Sequence, residues 1–169
     1  MNIEYKDLVD DAQSEDITQQ NNEEERNYTF APSNTSRYIS REQAFLLCFE
    51  KLFAECDFEE ILDKAKLCRD LDVTEYALNL AKGVDENMAE LDTLIVPFLA
   101  EKWTIDRISK VSLCLIRIAI YEILHIDTVP TNVAINEAVE LSKKYSTEKD
   151  TAFVNGLLGS YAKSLESDK

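Results

Sequence analysis

Glycine and proline are scarce in this chain, at three residues each among 169. An all-β fold needs a tight turn roughly every eight to twelve residues, and the residues that make such turns are missing. Helix is therefore the expected state throughout. Histidine is scarcer still, with His125 alone, and Cys48, Cys56, Cys68 and Cys114 contain no Cys-x-x-Cys pair. Structural zinc sites are built on such short ligand pairs, so no metal and no cofactor is expected, and the thiols read as small packed hydrophobes. There is no Gly-rich phosphate loop, no Gly-x-Ser-x-Gly turn and no spacing that pairs a nucleophile with a base. The chain is not expected to be an enzyme. Its N-terminus is acidic where a secretory leader would be basic and then apolar. The longest apolar run, 111–126, is interrupted by Arg117 and Glu122. It reads as a core helix and not a bilayer span, so a cytoplasmic protein without membrane association is expected.

Positive charge is the other shortage: 18 Lys and Arg stand against 33 Asp and Glu, a net charge of −15. Residues 1–35 carry nine acids and two bases, a net −7, which leaves −8 on the remainder. Phosphate contacts need a basic face, so DNA binding is not expected, and any RNA contact must be local and shared with a basic partner. Residues 1–35 are also rich in Asn, Gln, Ser and Thr with only scattered apolar residues. Such a segment cannot bury enough surface to offset its ordering entropy. The expected organisation is an acidic disordered tail over 1–35 and one helical domain over 36–169.

Within that domain the apolar spacing predicts a first helix from Arg41 to Glu55 carrying Phe45, Phe49, Leu52 and Phe53 inward. Asp57 with Glu60 forms a capping box for a second helix through Cys68. Asp72 with Glu75 suggests another for a long third helix, whose stripe is Tyr76, Leu80, Val84, Met88, Leu91 and Ile95. Gly83 lies inside that stripe and reads as a close-packing position. Pro97 ends or kinks the helix, and Trp103 to Ser109 reads as a short helix or turn with Thr104 as its cap. Ser112 to His125 is apolar around nearly its whole circumference, the mark of a buried central helix. Thr131 is the expected cap of the next helix, with Ala134, Ala138, Leu141 and Tyr145 inward, and a last helix spans Ala152 to Leu165.

Two charged features stand out. Arg117, surrounded on the helical wheel by Leu113, Tyr121 and Leu124, should be dehydrated and must then have a carboxylate partner. Glu122 is about 140° around the same helix and poorly placed, so Glu137 on the next helix is the expected partner. Arg37 and Arg41 lie one turn apart with Tyr38 between them, a weak version of the basic–aromatic alternation that binds phosphates and stacks on bases.

The blocks YALNLAKGV, LDTLIVPFL, W…RI…V, RIAIYEI, P..VAINEAVEL and FVNG, in this order, resemble the NusB family of transcription antitermination factors over about residues 36–165. The resemblance implies an all-α domain of about seven helices in two packed sub-bundles. It also implies an adaptor that binds boxA-like single-stranded leader RNA with a small-subunit ribosomal protein, NusE, and joins the elongating RNA polymerase. Carried onto this chain, the family's RNA contacts fall on Arg37, Tyr38, Arg41, Phe49, Lys149 and Phe153, the last two in and after a loop from Glu148 to Ala152. Its protein-partner contacts fall on Phe98 and Ser112. The chain departs from the pattern where Tyr38, Ile39 and Ser40 dilute the arginine-rich helix start. It departs again where Ser112 and Leu113 replace an acid–base pair. The alternative is a divergent helical scaffold that binds proteins only. The same fold occurs at the N-terminus of an rRNA cytosine methyltransferase, a reading that expects a catalytic domain beyond Lys169.

Overall fold

The computed structural model describes residues 36–54, 56–69 and 72–167. The acidic tail expected over 1–35 lies outside the described residues. Among those described there are seven α-helices and no strand: α1 (Arg37–Lys51), α2 (Phe58–Arg69), α3 (Glu75–Glu86), α4 (Met88–Ile95), α5 (Lys110–His125), α6 (Thr131–Tyr145) and α7 (Glu148–Ser167). Two 3₁₀ turns, Val96–Phe98 and Ile105–Arg107, join α4 to α5.

Helix α5 is the centre. Residues 112–120 are all buried, with Leu115, Ile116 and Ile120 fully so. Each such side chain contributes about 1.5–3 kcal/mol of burial free energy. Two groups of helices meet on it: α2 and α3 each pack on α1, α6 packs on α7, and α1, α3, α4, α6 and α7 all touch α5. A helix that is apolar on nearly every side has little solvent face to offer, and over residues 112–120 this packing buries every side chain, Arg117 included.

Helix boundaries follow the caps. Ser36 Oγ accepts the Ile39 N–H at 3.3 Å, so α1 begins at Arg37, four residues before the expected Arg41. Asp57 caps α2 through the Glu60 N–H at 2.9 Å, as expected. The box at Asp72 and Glu75 does not form. Gln43 instead accepts the Thr74 N–H at 3.0 Å and donates to the Asp72 carbonyl at 2.9 Å, and Thr74 Oγ1 caps α3 on the Ala77 N–H at 3.1 Å. The long third helix is two: Asn87 turns its amide back to the Gly83 carbonyl at 2.8 Å and separates α3 from α4. An amide side chain competing for backbone partners is a common helix interruption. The stripe still faces inward across the break, with Leu80, Val84, Leu91 and Ile95 buried. Thr131 is the first residue of α6 and not its cap; Pro130 occupies the cap position without a side-chain bond. Helix α7 starts four residues before the expected Ala152 because Thr147 Oγ1 accepts the Asp150 N–H at 3.2 Å and donates to its carboxylate at 2.9 Å. The expected loop from Glu148 to Ala152 is therefore the first turn of a helix.

Gly83 has the role its position suggested. A Cβ there would overlap the Tyr121 phenol ring, so α3 and α5 approach as closely as they do only because position 83 has no side chain.

Candidate nucleic-acid interface

A buried charge network fixes the start of α1. Arg41 is 4% exposed and its Nε donates to both oxygens of Glu122 on α5, at 2.8 and 2.9 Å. Its Nη1 also donates to Glu137 on α6 at 3.3 Å. The Tyr76 hydroxyl, from α3, donates to the same Glu122 carboxylate. Burial alone would pull the Arg41 guanidinium pKa down, but the Glu122 hydrogen bond and charge reverse this and hold it above its ordinary value. Burial and the Glu122 hydrogen bond push the Tyr76 phenol well up, so it remains a neutral donor. One carboxylate thus ties α1, α3 and α5 together, with Arg41 reaching on to α6.

This corrects two expectations. Arg41 is not free for an external phosphate, because its guanidinium is used inside the protein. Arg117 is dehydrated at 5% exposure and bonded to a carboxylate, as expected, but the partner is Asp92 on α4, bidentate at 2.8 Å from both Nε and Nη2. Glu137 faces Arg41 instead. The wheel argument identified a dehydrated arginine correctly and could not say which helix would lie over it.

Arg37 is exposed and stacks its guanidinium 3.9 Å from the centroid of the Tyr76 ring. A planar cation held on an aromatic face keeps its donors directed outward. Tyr38 beside it is half-buried. One turn on, Glu42 accepts hydrogen bonds from Lys144 and Tyr145 at the end of α6. Burial would raise the Glu42 carboxyl, yet these two donors hold it below its ordinary value. The hydrogen bond to Glu42 raises Lys144 in turn, with a further contribution from the nearby Tyr38. The start of α1 and the end of α6 therefore form one corner, and α7 begins immediately beyond it. Lys149 is exposed on the first turn of α7. Phe153, one turn later, is half-buried against Trp103 with ring centroids 6.3 Å apart.

Phe49 sits elsewhere. It lies 12 residues along α1 from Arg37, about 18 Å at helical rise. It packs between Phe45 and Phe53 at 5.9 and 5.1 Å and lines an apolar surface groove with Leu46, Glu50 and Ala54. The structure thus joins the start of α1, with Arg37 and Tyr38, to the end of α6 through Glu42, sets Lys149 and Phe153 on the first turns of the helix that follows α6, and leaves Phe49 apart. Of the expected protein-partner residues, Phe98 is half-buried, edge-on to Tyr161 at 5.8 Å. Ser112 is fully buried beneath Ser109, whose hydroxyl donates to it at 2.8 Å, so it offers no partner surface. Being one turn inside α5, Ser112 faces the core and completes the helix cap.

Sequence reasoning missed Glu122, Tyr76, Glu42 and Lys144. For Glu122 a signal was present: a carboxylate in an otherwise apolar helix requires a cation, and Arg41 was the exposed-looking arginine free to supply it.

The sequence profile of the NusB family matches residues 38–163. The chain is 41% identical over 133 residues to the transcription antitermination protein NusB of Clostridium botulinum (strain Alaska E43 / Type E3), covering 76% of this chain and 98% of that protein. Among solved structures it resembles T. maritima NusB, with TM-score 0.67 and 35% identity over 80% of this chain and 93% of that one. It also resembles a chain in the crystal structure of antitermination factors NusB and NusE in complex with dsRNA, with TM-score 0.67 and 26% identity over 76% of this chain and 96% of that one.

Proposed function

The chain belongs to the NusB family, and on that premise we propose that it is a non-enzymatic transcription antitermination adaptor of the cytoplasm. It binds boxA-like leader RNA together with the small-subunit ribosomal protein NusE, and the pair joins the elongating RNA polymerase. The observation that carries this reading is the corner where the start of α1 meets the end of α6 and the start of α7. There Arg37 is exposed at the start of α1, Lys144 is paired with Glu42 near Tyr38, and Lys149 is exposed on the first turn of α7, in a chain whose net charge is −15. A local basic–aromatic cluster on an acidic protein fits a single-stranded segment, whose phosphates take the cations and whose splayed bases take the rings.

Arg37 and Lys149 contact phosphate, Tyr38 and Phe153 meet bases, and Arg41 acts from beneath by holding the first turn of α1 in place. No helix among the described residues is long and apolar enough to cross a membrane. The partner supplies the positive charge this chain lacks, because complementary fields raise both encounter rate and affinity. The test is the salt dependence of RNA binding by the heterodimer. Arg37→Ala and Lys149→Ala each lower the log–log slope by about 0.7 per lost phosphate contact, while both variants stay folded, Arg37→Ala losing only the roughly 0.5–1 kcal/mol of its stack on Tyr76. Slopes equal to wild type in both variants would move the RNA off this corner. They would favour a scaffold that binds proteins only.

A further inference from the structure

The turn between α4 and α5 presents the chain's single tryptophan to solvent, next to a ring of the proposed RNA face. Trp103 is 45% exposed. Its indole is tilted by 31° to the Phe153 ring with centroids 6.3 Å apart, and the Arg107 guanidinium stands 5.3 Å from its centroid. The turn that carries it is tightly made. The Trp103 N–H donates to the Ala100 carbonyl at 2.9 Å, and Lys102 adopts a left-handed φ of 69° that a non-glycine residue rarely takes. Asp106, beside Arg107 in the chain, is engaged locally: it accepts hydrogen bonds from Thr104 and from its own backbone N–H, which hold its carboxyl below the ordinary range. A large, rigid, exposed indole flanked by a second ring and a cation has the make-up of a base-stacking platform.

We infer that Trp103, with Arg107 beside it, is a stacking site for one unpaired RNA base, extending the single-stranded path from Lys149 past Phe153 onto the α4–α5 turn. This rests on the RNA-binding reading above and adds a base contact to it. The base stacks on the indole face, Arg107 meets the adjoining phosphate, and Phe153 backs the indole from the protein side. Tyrosine or phenylalanine at position 103 keeps the platform, whereas alanine removes it.

The test uses the full chain bound to NusE and a fluorescein-labelled, boxA-like single-stranded oligoribonucleotide. An oligomer of the same length carrying abasic positions keeps the phosphates and lacks bases. Binding is read by anisotropy of the label, and Trp103 is read separately by indole emission, with the Trp103→Phe complex as the background. The intact RNA quenches the Trp103 emission and the abasic oligomer does not. Trp103→Ala weakens binding by about 5- to 150-fold, the span of one base–aromatic stack, and Trp103→Phe restores most of it. If the anisotropy shows RNA bound while the indole emission stays constant and Trp103→Ala binds like wild type, the inference is overturned and the parent reading stands. If no RNA binds under any condition, the parent reading fails first. If the emission moves on adding NusE alone and Trp103→Ala weakens that heterodimer, the surface belongs to the protein partner and the stacking site is refuted.

Discussion

Arg41→Ala is expected to be among the most destabilising single substitutions of a charged residue in this protein. It leaves the Glu122 carboxylate fully buried and without its cation. Removing one member of a buried ion pair costs roughly 3–5 kcal/mol, most of it from the charge left behind. Tyr76 still donates to Glu122, which places the expected loss near the lower end of that range. The Glu137 contact adds little, since that side chain is 26% exposed and water can replace the lost donor. Arg117→Ala is a useful internal comparison: its partner Asp92 is 27% exposed and can be resolvated, so the expected loss is about 1–3 kcal/mol. Urea unfolding followed by far-ultraviolet circular dichroism gives both values. A further variant, Arg41→Met with Glu122→Leu, removes both charges and should be less destabilising than Arg41→Ala alone. The reasoning is refuted if Arg41→Ala unfolds within 1 kcal/mol of wild type, or if the double variant is the worst of the set.

Gly83→Ala should destabilise by roughly 1–3 kcal/mol, because its Cβ meets the Tyr121 ring, and adding Tyr121→Ala should remove much of the Gly83→Ala penalty in a double-mutant cycle. Glu42→Gln should cost roughly 1 kcal/mol near neutral pH. The Glu42 carboxyl lies below its ordinary value of 4.5, so its contribution is present above that value and is lost as pH falls through the folded pKa. The gap between wild type and Glu42→Gln in a pH series of urea melts should therefore close below about pH 4.5.

The helical class, the buried central helix and the close approach at Gly83 were legible because each rests on local pattern: few turn residues, an apolar run without a polar face, and a glycine inside a stripe. The cap at Asp57 and Glu60 was legible for the same reason. What escaped was set by contacts far apart in sequence. Gln43 on α1 captures the backbone before α3 and displaces the cap from Asp72 to Thr74, across 31 residues. The Arg41–Glu122 tie spans 81 residues and exchanges the partners expected for Arg117 and Glu137. In the candidate site, Arg37, Tyr38 and Lys149 were named from residue type and family pattern, and the structure leaves Arg37 and Lys149 exposed and Tyr38 half-buried. The burial of Arg41 was not, since a wheel drawn for α1 alone cannot show the carboxylate of α5 beneath it. Likewise Trp103 gave no hint of its exposure until the turn around Lys102 placed it beside Phe153.

The most direct test of the central claim is a titration of labelled boxA-like RNA with this chain alone, with NusE alone and with the two together. An acidic chain with a small basic corner is expected to bind weakly by itself, and the heterodimer to bind more tightly than either component, with a steeper salt dependence than the chain alone. If NusE does not bind the chain, or binds it and leaves its RNA affinity unchanged, the adaptor account is contradicted.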